Sequence, residues 1–196
     1  MSHRPALILA SSSPRRLELL RRVGIEPDAV IAPEVDENAA PRELPRAHAL
    51  RLASAKLEAV VARCGCHAFV LAADTVVACG RRILPKAETE EAARACLELL
   101  SGRRHRVYGA IAVAAPDGRH ATRLVETAVH VKRLSTPEID AYLASGEWRG
   151  KAGSYAIQGR AEGFIPAISG SWSNVVGLPL AETLKLLHGL GWRPPS

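Results

Sequence analysis

Residues 11–16 read "SSSPRR", and their types are those of an anion site. The serines offer hydroxyls and backbone N–H groups. Pro14 suits the first position of a helix capped by Ser13, which puts Arg15 and Arg16 in the first helical turn. That turn already carries about half a positive charge from unpaired N–H groups, so each arginine there costs about 0.3 to 1 kcal/mol. A bound group with several negative charges reverses the sign by giving both arginines a charge-assisted contact.

Asp74 is a second chemical feature, because it is the lone carboxylate in the apolar run "HAFVLAADTVVACG". A buried carboxylate is costly unless it is paired, protonated or bound to a metal. Taken singly, Asp74 reads as readily as a strand-end residue accepting backbone N–H bonds. The acidic loop "PEVDE" likewise reads as solvated charge, and Lys56 and Lys86 as solvated lysines. Together with the serine-rich loop and its arginines, these residues meet what a nucleoside triphosphate enzyme requires.

The elements that must position them follow from periodicity and turn chemistry. "ALILA" reads as a short buried strand leading into the arginine helix, which Gly24 ends, and "DAVIAPEVDE" as an extended segment running into the acidic loop. A helix is expected over Pro45 to Arg63, with Leu50, Ala53, Leu57 and Val60 as its apolar stripe and Lys56 beside it. A turn through "RRILPKAE" leads to a helix capped by Thr89 and closed by Gly102. "RVYGAIAVAA" and "RHATRLVETAVHVKRL" flank Pro116, Asp117 and Gly118 as a hairpin. Ser135, Pro137 and Glu138 start a short helix by a capping box. The glycine-rich "GEWRGKAGSYAIQGRAEGF" is too long for a tight turn, and loops of that length are more often functional than structural. "NVVGLPLAETLKLLHGLG" gives a loop and a helix with Leu180, Leu184 and Leu187 buried. The fold class is α/β with mixed strand directions.

Composition bounds the function. The 196 residues, 47% hydrophobic and 23% charged, suffice for a substantial core in one domain or two closely joined lobes. No apolar run approaches the roughly 18 residues of a membrane span, and the expected location is cytoplasmic. Cys64, Cys66, Cys79 and Cys96 do not form two spaced C-x-x-C knuckles, so reduced thiols are expected, with the Cys64/Cys66 pair in a loop. The net charge is +6, and arginine dominates the basic residues, which suits phosphate. Stable nucleic-acid binding is not expected, because the aromatics are scattered and none lies in the first basic segment.

"LILASSSPRRLELL", "AADTVV", "LSGRRHRV", "KAGSYAIQG" and "SNVVGLPL" resemble, in order and across almost the whole chain, the signatures of the Maf family of nucleoside triphosphate pyrophosphatases. The resemblance implies one domain over residues 1–196, with a mixed twisted sheet, flanking helices and two lobes around a deep cleft, distantly like the inosine triphosphatase fold. It implies hydrolysis of a nucleoside triphosphate to monophosphate and pyrophosphate with a divalent cation, magnesium or manganese, often in a homodimer. Carried over by motif, Ser11, Ser13, Arg15 and Arg16 form the phosphate loop, and Thr75 joins the substrate-binding residues. Glu37 shares the metal and water site with Asp74, which is base or metal ligand. Lys56 and Lys86 bind phosphates, and Gln158 in "IQG" faces the base.

That "IQG" form resembles the branch acting on dTTP and UTP. One departure concerns Lys86, which follows Pro85 here, whereas family members commonly have lysine before proline. His105, Tyr155 and Trp172 read as fold-supporting residues and stay outside the catalytic set. Two other readings use the same features: a nucleotide-sensing regulator of cell division that needs no turnover, and a basic nucleic-acid-binding protein.

Overall fold

The computed structural model describes residues 5–65 and 67–194. Strand β1 (Leu7–Ala10) runs into helix α1 (Pro14–Arg22), strand β2 (Ala29–Ile31), a long coil and helix α2 (Pro45–Cys64). Strands β3 (Phe69–Cys79) and β4 (Arg82–Leu84), helix α3 (Glu90–Leu100), and strands β5 (Arg104–Ala114) and β6 (His120–His130) follow. Helix α4 (Thr136–Ala144), a 3-10 turn at Arg160–Phe164, strand β7 (Ala167–Ser169), and helices α5 (Trp172–Val176) and α6 (Leu180–Leu190) complete the order. Cys64, Cys79 and Cys96 are free, while Cys66 lies outside the described residues.

The strands make one sheet in the order β2-β1-β3-β5-β6-β7, with β4 on β3. Strand β1 is parallel to β2 and β3, and the remaining pairs are antiparallel. The sheet is therefore mixed, as expected. Strand β5 covers β3 from Val70 to Ala78 along one edge. On the other edge β1 covers Phe69 to Ala72 and β4 covers Val77 to Cys79. On that edge, among the described residues, Ala73, Asp74, Thr75 and Val76 have no strand beside them, so the sheet splits there. Sites in open α/β sheets form where the strand order diverges at carboxyl ends, and β1 ends at this split.

Period-two alternation sends neighbouring β3 residues to opposite faces. Val70, Ala72, Val76 and Ala78, with Ala110 and Ala112 of β5, lie under Ala49, Ala53, Leu57 and Val60 of α2. The alanines on both sides let this helix approach closely. Leu71, Ala73 and Val77 instead join Leu19 and Leu20 of α1, Leu97 of α3 and Leu187 of α6. Asp74 thus shares a face with α2, and Thr75 with α1.

Several segments differ from the sequence reading: β7 and α5 form where no strand or helix is expected, and Leu50 of α2, expected in the buried stripe, is only partly buried. "RRILPKAE" contains strand β4, because Gly80 at φ 61° closes a tight hairpin onto the end of β3. In α6 the buried residues are Thr183, Leu187 and Leu190, with Leu180 and Leu184 only partly buried. The Thr183 hydroxyl donates to the Pro179 carbonyl at 2.8 Å, which satisfies it and allows its burial. The capping box of Ser135 and Glu138 forms as expected.

Candidate active site

At the split in the sheet lies a cleft of about 230 Å³, and all ten site residues expected from the sequence line it: Ser11, Ser13, Arg15, Arg16, Glu37, Lys56, Asp74, Thr75, Lys86 and Gln158. Strand β3, helices α1 and α2, the acidic coil, the segment after β4 and the glycine-rich loop each contribute.

Its centre is a chain of alternating charges. The Lys56 ammonium donates to Asp74 Oδ1 at 2.6 Å and pairs with Glu37 Oε1 at 2.6 Å. Lys86 donates to the other Glu37 oxygen at 2.8 Å. Lys56 and Asp74 are only 6% and 8% exposed, whereas Glu37 and Lys86 are 43% and 56% exposed. Burial alone would raise the Glu37 carboxyl, but hydrogen bonds from Lys56 and Lys86 pull it down to about 2. Lys86 reaches this partner with proline before it, so the departure from the family pattern does not withdraw it from the cleft. Its backbone pairs with Ala152, which ties it to the glycine-rich loop.

The coil that carries Glu37 is fastened to α2. Arg51 grips both oxygens of Glu43 at 2.7 and 2.8 Å and also donates to the Asn38 carbonyl at 3.0 Å. Glu43 further accepts the Ala40 N–H at 2.9 Å and lies 2.8 Å from His48 Nδ1. A two-point guanidinium contact fixes geometry as well as charge.

The two arginines of the first helical turn have different situations. Arg16 is buried, and its guanidinium donates to the Gly177 carbonyl at 2.9 Å, the Ser11 hydroxyl at 3.2 Å and the Thr75 hydroxyl at 3.2 Å. Burial lowers its pKa, opposed by the charge of Asp74. Arg15 makes no hydrogen bond or ion pair among the described residues, and burial lowers its pKa too. The expectation that both cations strain an empty helix end therefore holds only for Arg15. Ser13 occupies the N-cap without a side-chain cap bond, and its N–H donates to Ser11 Oγ at 3.1 Å.

Four residues that the sequence reading did not single out, Asn174, Gly109, Gly177 and Lys151, support or line the site. Asn174 of α5 is fully buried and donates to the carbonyls of Val107 and Val125 at 3.2 and 3.3 Å and to Thr127 Oγ1 at 3.0 Å. A Cβ on Gly109 would stand 1.8 Å from Asn174 Oδ1, so glycine is what admits the side chain. This contact fixes α5 on the sheet and so places Gly177, whose carbonyl accepts from both Arg16 and Thr75. Lys151 lines the cleft from the glycine-rich loop. The sequence signal for it was a lone lysine in "RGKAGS".

That loop is held from behind. Tyr142 accepts the Ala156 N–H at 3.1 Å, Glu147 accepts the Arg160 N–H at 2.8 Å, and the Tyr155 hydroxyl lies 2.8 Å from His105 Nε2. His105 is buried, and burial lowers its pKa to about 4. It does not line the cleft and supports the fold, as its sequence position suggested. Trp172 is partly buried with the Arg22 guanidinium 5.6 Å above its ring. Gln158 is exposed at the cleft rim with its amide unpartnered among the described residues.

Donor chemistry shows which residues can hold a divalent cation. Magnesium in nucleotide sites is held by one or two carboxylates plus substrate phosphates rather than by an all-protein cage. Asp74 and Glu37 offer that donor set on either side of one ammonium. Among the described residues no group of three or more His, Cys, Asp or Glu side chains forms a cage. The pair fits a cation that arrives with a polyphosphate.

The cleft where this mixed α/β sheet splits sets five cations around a buried carboxylate, which suits a polyanionic ligand. A family model described as Maf-like protein matches residues 6–190, and the chain belongs to the Maf family. It is 61% identical over 194 residues to a dTTP/UTP pyrophosphatase of Caulobacter vibrioides, covering 99% of this chain and 100% of that one. It is also 62% identical over 190 residues to a dTTP/UTP pyrophosphatase of Maricaulis maris, covering 96% and 90%. Among solved structures, the Ham1 protein of Staphylococcus aureus aligns at 18% identity and a TM-score of 0.45, over 64% of this chain and 71% of that one. Among the described residues no helix is long and apolar enough to cross a membrane.

Proposed function

We propose that the chain hydrolyses dTTP and UTP to the nucleoside monophosphate and pyrophosphate with a divalent cation, as one domain over its 196 residues working in the cytoplasm. The observation that carries this reading is the run Asp74, Lys56, Glu37, Lys86 in one cleft with Arg15 and Arg16. High identity to dTTP/UTP pyrophosphatases along nearly the full chain supports the substrate class.

Water attacks the α-phosphorus, a P–O bond forms, and the bond from the α-phosphorus to the α–β bridging oxygen breaks. Asp74 Oδ1 is held by Lys56, while Oδ2 has no hydrogen-bond partner among the described residues. Oδ2 is therefore the oxygen that orients the water and takes its proton. Lys56 and Lys86 draw the α-phosphate toward this oxygen and offset charge as the transition state forms. A magnesium or manganese ion held by Asp74 and Glu37 would add charge neutralisation and water activation. Arg15 and Arg16 hold the departing phosphates.

The Gln158 amide offers a donor to a carbonyl and an acceptor to the imide N–H of uracil or thymine. Cytosine presents a different pattern and leaves groups unpaired, at about 1 to 3 kcal/mol per group. The test is pyrophosphate release from dTTP, UTP, CTP and GTP with magnesium or manganese. The expected order has dTTP and UTP ahead of CTP and GTP, and Gln158→Ala narrows the gap to CTP. Binding without turnover would instead identify a nucleotide sensor.

A further inference from the structure

The mechanism above gives no role to Lys151, one of five cations lining the cleft. Lys56 and Lys86 are already balanced by Glu37 and Asp74. Arg16 spends three donors on Ser11, Thr75 and Gly177. Arg15 and Lys151 differ from these three. Neither has a carboxylate within ion-pair distance among the described residues, and among them the Lys151 ammonium donates only to the Arg149 carbonyl, at 3.0 Å.

Both cations are also partly withdrawn from water. Burial lowers the pKa of Arg15, and burial, then the charge of Arg15, lowers that of Lys151, opposed by the charge of Glu147. The turn presenting Lys151 is fixed: its N–H donates to the Trp148 carbonyl at 3.2 Å, and its carbonyl accepts the Ser154 N–H at 3.0 Å. Gly153, at φ 70°, packs so closely on β3 that a Cβ would stand 2.7 Å from Val77 Cγ1. Two partly desolvated cations held near each other, with no carboxylate at ion-pair distance and only the charge of Glu147 acting on Lys151 from farther off, favour a strongly charged ligand. A base carbonyl brings only a partial charge, whereas a terminal phosphate brings whole ones.

We propose that Lys151 is a substrate-binding residue that, with Arg15, holds the pyrophosphate end of the triphosphate, leaving Lys56 and Lys86 to the α-phosphate. The inference rests on the pyrophosphatase reading and assigns the polarity of the substrate in the cleft: the leaving group lies between α1 and the glycine-rich loop, and the reacting phosphorus faces Asp74.

The test uses the full chain and inorganic pyrophosphate as the probe, measured by calorimetry without turnover, together with KM for UTP and CTP. Lys151→Ala is expected to weaken pyrophosphate binding by about 10-fold or more. KM for UTP and CTP should rise by one common factor, with the melting temperature kept. Lys151→Gln, which keeps a polar side chain, should show the same loss, and Lys151→Arg should restore most of the binding. Unchanged pyrophosphate affinity in folded Lys151→Ala and Lys151→Gln overturns the proposal. So does a changed UTP-to-CTP ratio with pyrophosphate binding intact, which would place Lys151 at the base. A wild type that binds pyrophosphate through Lys151 but releases none from any triphosphate supports the subsite and overturns the function it was derived for.

Discussion

The Lys56 ammonium stands 2.6 Å from Asp74 Oδ1, and both side chains are more than nine-tenths buried. The pair joins helix α2, which packs on that face of the sheet, to strand β3 at the point where the sheet splits. Removing one partner of a buried pair leaves an uncompensated charge, which typically costs about 3 to 5 kcal/mol. Lys56→Met should therefore lower stability by that order as well as abolish turnover, read by denaturant unfolding and pyrophosphate release. Near-wild-type stability would show that water reaches Asp74 freely.

Arg15→Ala should leave the nucleotide-free protein as stable as the wild type or slightly more so, since it removes a cation from the positive end of α1. Arg16→Ala should destabilise it by about 1 to 3 kcal/mol, because the Gly177 carbonyl and the Ser11 and Thr75 hydroxyls lose a buried charged donor. Both should weaken triphosphate binding. Thermal melts with and without nucleotide separate the two arginines, and equal melts without nucleotide would remove the distinction.

His105 carries a pH signature. Its pKa falls from 6.5 to about 4 in the folded protein because burial disfavours the charged ring. The unfolded chain then binds more protons in that window, so stability is full above 6.5 and falls as the pH drops toward 4, by about 3 kcal/mol if the whole shift is expressed. In His105→Gln, which cannot titrate but can still bond Tyr155, this part of the slope should vanish. Urea midpoints of both proteins from pH 7.5 to 4 measure it, and parallel curves would assign the acid sensitivity elsewhere.

Much of this site is legible in the sequence because single residues break a local pattern. Asp74 interrupts an apolar strand, Arg15 and Arg16 sit at the wrong end of a helix, and the glycine-rich stretch exceeds any turn. Pairings are not legible in this way, because they depend on register and on rotation about helices. Arg15 and Arg16 are adjacent in sequence, yet a turn of about 100° per residue sends one into the protein and leaves the other in the cleft. That Lys56 meets Asp74 requires α2 to cross β3 at their shared face, and nothing local encodes it. The role of Asn174 hangs on Gly109, 65 residues away, where the absent Cβ makes room. Strand β4 is too short for periodicity to announce. Lys151 is unmarked in sequence because its significance is what it lacks, a carboxylate at ion-pair distance among the described residues, and only the folded cleft reveals that.

The central claim is that Asp74 drives release of pyrophosphate from dTTP and UTP, and kcat of wild type and Asp74→Asn tests it most directly. The amide keeps an oxygen acceptor for Lys56, and Lys56 still holds Glu37 at 2.6 Å, so the variant should fold. Wild type should release pyrophosphate from both nucleotides with magnesium or manganese, and the variant should lose at least about 100-fold in kcat with its melting temperature little changed. A wild type that releases none from either nucleotide, or a folded Asp74→Asn that turns over at near the wild-type rate, would contradict the account.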